Sequence, residues 1–356
     1  MKKEMKLTRY LYFVDEVYYS LIECFNEKKS FQEVLFWTFE LHFSGLVHEL
    51  WDAIWFIYYT HCSTKRPKLE KVLLKNNEKA NLFDSVLDSI KLLYYSKKNE
   101  IKVSFENKMK RKRKTKILFK WLDEFNDKYK DLIINIHRKK WKNIRGYLEL
   151  AEDIIEVYEE VKKYFRLQHD LHLNDYDLNT HPYKDKKMII LALIHYLFDS
   201  LKDTEKEFKK RRVTRKKLIK DNVVDKVLQI NEIEEEVNNY EVLSIARMYF
   251  VLVSIGKYKL ERYNFDNYKK VYWYNWRYYA YRTPIWRNRF DKYKIKVDDK
   301  NKDIVFLDED EEEEFCEIYD YEPDEQSLEV QNRSLIEIKR LSNVDILEKK
   351  VRKLKI

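Results

Sequence analysis

Three glycines stand in 356 residues, where average usage would give roughly 25. Glycine reaches positive φ freely and lets backbone approach a ligand closely. A chain this poor in it offers no glycine-rich phosphate loop and few sites for tight hairpins. Proline is nearly as scarce, at four. Both residues interrupt helices, so their scarcity predicts long helices joined by polar turns. The expected fold is mainly α, either a multi-helix bundle or an irregular α-solenoid of helical hairpins, with one small β-hairpin near 293–307.

Hydrophobic residues make up 44% of the chain and charged residues 37%. Those proportions suit amphipathic helices with solvated outer faces. The 28 Tyr, 19 Phe and 8 Trp supply much of the packing volume, because aromatic side chains bury the most area per residue.

The net charge of +9 is unevenly spread. Residues 308–356 hold 8 Lys/Arg and 16 Asp/Glu, against 63 and 46 in residues 1–307. Within Asp308–Glu325 lie twelve acids and no base. Such a run is either a solvated loop, a cover for the chain's own basic surface, or a competitor for a polyanion. The linear organisation expected is a helical hairpin lobe over 1–96, a main body over 116–307 ending in the β-hairpin, an acidic loop over 308–325 and a C-terminal helix over 326–356.

Cys24, Cys62 and Cys316 are widely separated and form neither a zinc spacing nor a disulfide framework. This points to a reducing compartment. The basic N-terminus is interrupted by Asp15 and Glu16 and does not read as a signal peptide. The longest uniformly apolar run, Ala53–Tyr59, is far below the roughly 20 residues of a membrane span. A soluble, intracellular protein is expected.

Along the chain, Val14, Val17, Tyr18, Leu21 and Phe25 predict an amphipathic helix over 8–28. Ser30 and Glu33 form a capping-box pattern ahead of a nearly all-apolar helix over Phe31–Phe43. Gly45 then sits where a left-handed helix cap is expected, and Val47, Leu50, Trp51, Ile54, Trp55 and Tyr58 continue as a third helix, with Pro67 its outer limit. A further helix is expected over 79–96. Another is expected to carry Leu118, Trp121, Leu122, Phe125, Tyr129, Leu132 and Ile136. Gly146 is read as a break before a stripe running from Tyr147 to Phe165. Helices follow over 186–201, 222–238, 241–255 (ending near Gly256) and 328–354. Thr283-Pro284 is a helix start with proline at the first position.

Two kinds of surface feature carry functional content. Basic clusters occur at Lys108–Lys116, Arg138–Lys142 and Lys209–Lys217. Their candidate phosphate contacts are Arg111, Lys112, Arg113, Lys139, Lys140, Arg211, Arg212 and Arg215. They read as solvated helix faces, as polyanion contacts or as nuclear import signals. The segment Tyr272–Trp286 holds eight aromatics in fifteen residues, with arginines interleaved. Tyr272, Trp273, Trp276, Arg277, Tyr281, Arg282, Trp286, Arg287 and Arg289 are its candidate binding residues. Aromatics beside arginines can stack bases, anchor a protein interface, or pack a core with cation–π contacts.

Chemistry motifs are scarce. The His169, His172, His181 group and the His42, His48, His61, Cys62 group lack a metal-ligand spacing. No P-loop, Gly-x-Ser-x-Gly or His-Glu-x-x-His pattern occurs. No catalytic residue, metal or cofactor is expected.

The stretch Phe31–Trp51, with its Phe-Trp-Thr-Phe-Glu-Leu helix, Ser-Gly turn and tryptophan-bearing third helix, resembles uncharacterised proteins of giant, mimivirus-like DNA viruses. Asp15-Glu16-Val17 and the Trp/Arg-rich region near 276–290 share the likeness, which covers about 80 residues and brings no catalytic residues. It implies a viral protein made in the host cytoplasm (the viral factory) and open to packaging into virions, while the basic runs leave nuclear import open. The expected function is a non-enzymatic helical scaffold or virion-associated interaction protein with protein partners. The alternative is a nucleic-acid-binding accessory protein of viral genome handling.

Overall fold

A computed structural model of the chain describes residues 5–99, 119–171, 177–202 and 274–319. The runs Lys108–Lys116 and Lys209–Lys217, His172, Tyr272, Trp273, Gly256 and the helices expected over 222–238, 241–255 and 328–354 lie outside them. The described fold is mainly α-helical with one small β-hairpin. It divides into two compact units. Among the described residues, the first comprises 5–53 with 274–319 and the second 54–99, 119–171 and 177–202.

The first unit contains α1 (Val14–Asn26) and α2 (Phe31–Phe43), and α3 (Val47–Ile57) starts within it. Ser30 caps α2 by accepting the Glu33 N–H at 3.2 Å. At the other end Gly45, at φ +75°, forms a Schellman turn. Its N–H donates to the His42 carbonyl, and the Leu46 N–H to the Leu41 carbonyl.

Residues 8–13, expected to be helical, are not. α1 begins at Val14. The preceding segment is a compact turn in which the Thr8 N–H donates to the Tyr12 carbonyl and Leu7 bridges to Phe13. The four consecutive residues Tyr10 to Phe13 are all buried, and Leu11 takes a positive φ of 59°, which a right-handed helix does not accommodate.

That segment shares one core with α10 (Trp276–Ala280), α11 (Pro284–Phe290), a hairpin and a last helix. β1 (Ile295–Asp298) pairs antiparallel with β2 (Asp303–Phe306), with Ile295 opposite Phe306 and Val297 opposite Ile304. Leu7, Leu11, Phe13, Trp276, Trp286, Phe290, Ile304, Phe306 and Phe315 form the buried cluster.

Where an acidic loop is expected, residues 309–319 are helical: α12 runs Glu309–Tyr319. Its first turn is four acids, Glu309 to Glu312, a favourable placement at the positive end of the helix dipole. Phe315 stacks on Phe290 at 4.4 Å and fixes the helix to the core.

In the second unit, α3 passes into a π-helical turn, Tyr58–Cys62. Asn99 satisfies its freed backbone groups: Asn99 Nδ2 donates to the Thr60 carbonyl, and Asn99 Oδ1 accepts from the Thr64 N–H and hydroxyl. The hairpin α4 (Leu69–Asn77) and α5 (Phe83–Tyr95) follows. The helix expected over 79–96 thus begins four residues later, and α4 is a helix additional to those expected.

Between Leu118 and Ile136 one helix is expected. Instead a 3₁₀ turn, Lys120–Glu124, is separated from α6 (Lys130–His137). Gly146, read as a break, is buried in the middle of α7 (Trp141–Leu150). The real break follows, where Asp153 accepts the N–H groups of Ile155 and Glu156 and starts α8 (Ile154–His169). α9 (Lys186–Lys202) closes the described part of this unit.

Candidate functional site

The aromatic–arginine segment is mostly interior. Trp276 and Trp286 are 4% and 0% exposed and meet edge-to-face at 5.3 Å. Arg277 donates through Nη1 to Glu312 Oε1 at 2.8 Å and through Nη2 to Cys316 Sγ at 3.3 Å. Arg282 hydrogen-bonds the Tyr278 hydroxyl, lies 4.5 Å over that ring and stands 3.6 Å from Asp299. Arg289 covers the rings of Trp286 and Tyr319. Tyr281 is half-buried and donates to Asp291, with Arg287 above its ring. Arg287 is the exposed arginine of this set. The described acids of the C-terminal run also take Lys294, paired with Glu311 at 3.1 Å. Core packing with cation–π contacts therefore accounts for Trp276, Arg277, Arg282, Trp286 and Arg289.

Charge is distributed differently in the two units. The described residues of the first hold 13 Lys/Arg and 20 Asp/Glu, those of the second 24 and 18. The Arg138–Lys142 cluster belongs to the second. It is built on the end of α6, where Lys139 takes the left-handed conformation at φ 52°. The Lys139 N–H donates to the Ile136 carbonyl and the Lys140 N–H to that of Asn135, a Schellman turn made without glycine. Lys139, Lys140 and Lys142 are exposed. No ion pair engages Arg138, Lys139, Lys140 or Lys142 among the described residues.

Beside this turn lies an aromatic surface, of which Trp121 alone is expected as part of a helix face. Phe119 and Trp121 are half-buried and stack at 5.2 Å with 20° between their planes. The exposed His137, last residue of α6, contacts both rings at 5.2 and 5.1 Å. Buried Phe125 and Tyr164 support Trp121 from the protein side, and the Tyr164 hydroxyl is 3.2 Å from His137 Nδ1. Phe198 lies further along, 4.8 Å beneath the Lys139 ammonium and beside His169. Burial, then the charges of His137 and Lys139, lowers the His169 pKa. The segment was legible as basic but not as stacked, because Phe119, Trp121 and His137 meet only through the break between the 3₁₀ turn and α6.

The histidine groups disperse. His181 Nδ1 accepts the Tyr183 N–H, which leaves the proton of the neutral ring on Nε2. That nitrogen is 3.0 Å from the Tyr59 hydroxyl, which donates to Glu70 at 2.5 Å. This chain of bonds ties the 177–185 loop to the π-helical turn and α4. His61 pairs with Thr60, and burial pushes the Cys62 thiol up to about 11. No metal-holding group of His, Cys, Asp and Glu occurs among the described residues, and no described helix is long and apolar enough to cross a membrane.

Comparison with known protein families, with characterised proteins and with solved structures finds no match to this chain.

Proposed function

We propose that the protein is a non-enzymatic helical binding protein whose second unit engages nucleic acid through phosphate contacts. The carrying observation is the contrast between its two arginine-bearing segments. In the first unit Arg277 and Arg282 are neutralised by carboxylates. In the second, Arg138, Lys139, Lys140 and Lys142 have none among the described residues. Unpaired cations clustered at one turn are the requirement for binding that releases condensed counterions. The chain leading to Phe119 adds eight Lys/Arg against two acids over residues 100–118. The likeness of Phe31–Trp51 to giant-virus proteins supports a viral setting for this role.

Fluorescence anisotropy with labelled single- and double-stranded DNA and single-stranded RNA over a salt series tests this. Binding at low salt that weakens steadily as salt rises is the expected result. No binding to any of the three at the lowest salt would overturn it.

A scaffold role rests on a separate observation. We infer it from Tyr274, Leu307 and Ile318 of the first unit, three exposed large hydrophobic side chains available to a protein partner. Light scattering that finds a monomer, with no partner captured from infected cells, would remove that reading.

A further inference from the structure

The geometry points to the Phe119–Trp121–His137 surface as a stacking platform for unpaired bases, with Arg138, Lys139, Lys140 and Lys142 holding the adjoining phosphates of a single strand. This rests on the nucleic-acid reading and names the form of ligand the second unit takes.

Four observations favour that occupant. First, the rings of Phe119 and Trp121 lie nearly parallel and are not fully buried. Second, the platform is rigid, because buried Phe125 and Tyr164 prop the indole and Tyr164 meets His137. A fixed ring loses little freedom when a base stacks on it. Third, the surface next to it is cationic: His137 passes directly into Arg138, Lys139 and Lys140, with no carboxylate partner among the described residues. The nearby Asp123 and Asp127 are exposed and share Lys130, at 3.6 and 2.7 Å. Fourth, flat rings beside lysines suit a strand whose bases are splayed out. A duplex keeps its bases inside the helix and presents phosphates alone, so it gains from the cations but not from the rings.

The test compares the full chain with Trp121→Leu, Phe119→Leu, Trp121→Phe and the pair Lys139→Ala/Lys140→Ala. Each variant is first checked for the parent's helical signal and melting temperature. Ligands are an oligothymidylate, a single-stranded RNA of the same length, a DNA duplex and poly-glutamate. Trp121→Leu and Phe119→Leu should weaken single-strand binding about tenfold, the order of one lost base stack. Duplex affinity and the salt slope should stay near the parent's. Trp121→Phe, which keeps a stacking ring, should restore most of the single-strand affinity. Lys139→Ala/Lys140→Ala should weaken single strands and duplex alike and flatten the salt slope. In the parent, an oligonucleotide should quench tryptophan fluorescence, and Trp121→Phe should lose part of that quench.

Binding by the parent with unchanged single-strand affinity in both leucine variants would overturn the platform while leaving the broader reading in place. No binding by the parent to any nucleic acid would remove both. Poly-glutamate bound as tightly as the oligonucleotide, and lost in Trp121→Leu, would make the occupant an acidic protein segment and overturn the assignment to bases.

Discussion

The indole N–H of Trp286 donates to the carbonyl of Thr8 at 3.0 Å, across 278 positions of chain. Both partners are fully buried. This bond joins the N-terminal turn to α11, and the Leu7 N–H to the Tyr279 carbonyl gives a second tie at 3.3 Å. Replacing Trp286 with Phe keeps an aromatic ring but leaves the Thr8 carbonyl without its donor. The expected loss is about 1–3 kcal/mol, read as a lower urea midpoint. Trp286→Ala should lose about 3–5 kcal/mol, because a cavity is added. An unchanged midpoint for Trp286→Phe would show that the bond contributes nothing.

Gly45 and Lys28 both occupy positive φ at helix ends, at +75° and +55°, so opposite substitutions should have opposite effects. A Cβ on Gly45 would stand 2.7 Å from the Pro284 Cβ. Gly45→Ala therefore meets a clash as well as backbone strain of about 1–2 kcal/mol. Lys28 is exposed and carries the backbone strain alone. Lys28→Gly should leave the protein equally stable or raise it by up to about 1 kcal/mol, the relief of strain being partly offset by unfolded-state entropy. Thermal melts of the two variants, shifted in opposite directions or with Lys28→Gly flat, check this; a marked drop for Lys28→Gly would contradict it.

Arg9 and Glu40 form a buried ion pair, with Nε 3.2 Å from Oε2 and both side chains almost wholly enclosed. Glu40 also accepts the Tyr10 N–H, and Arg9 lies over the rings of Tyr10 and Phe43. Removing one partner leaves a buried charge. Arg9→Met or Glu40→Leu alone should therefore lose about 3–5 kcal/mol. The double variant Arg9→Met/Glu40→Leu should lose less than the sum, giving a clear coupling in a double-mutant cycle. Additive losses would mean that the charges do not depend on each other.

Burial lowers the pKa of His42, with Arg9 adding to the effect, and lowers that of His169. A histidine held below its unfolded value binds fewer protons in the folded state than in the unfolded one. Stability from this source is present above the ordinary value near 6.5 and is lost as pH falls through it. The melting temperature should therefore drop between pH 7.5 and 5.5, a window above most carboxylate titration. His42→Gln/His169→Gln should flatten the drop, and an equally steep profile in that variant would assign it to other groups.

Much of the local structure was legible in the sequence. Ser30, Glu33 and Gly45 bounded α2 because capping depends on side-chain type and glycine on φ, both read from adjacent residues. Thr283-Pro284 and the alternation around Asp298–Asp303 placed α11 and the hairpin for the same reason. The scarcity of glycine held as a statement about fold class but not about turns. Lys28, Lys139 and Asp170 adopt positive φ at helix ends and Lys302 does so in the hairpin turn, so the chain makes its left-handed turns from ordinary residues where packing outweighs the strain.

Tertiary structure alone decided which charges and rings are free. Residues 8–13 have helical spacing but become a buried turn, because α2 takes Arg9 and Tyr12 while the core of α10, α11 and the hairpin takes Leu11 and Phe13. Arg277 and Arg282 look like a binding surface in sequence, yet carboxylates 35 and 17 positions away neutralise them. Arg138–Lys142 looks the same in sequence and meets no such partner among the described residues. Sequence composition and capping determined a helical, basic, aromatic-rich protein, since those properties are local. The contrast between consumed and available cations depends on contacts between distant segments, which carry no local signature.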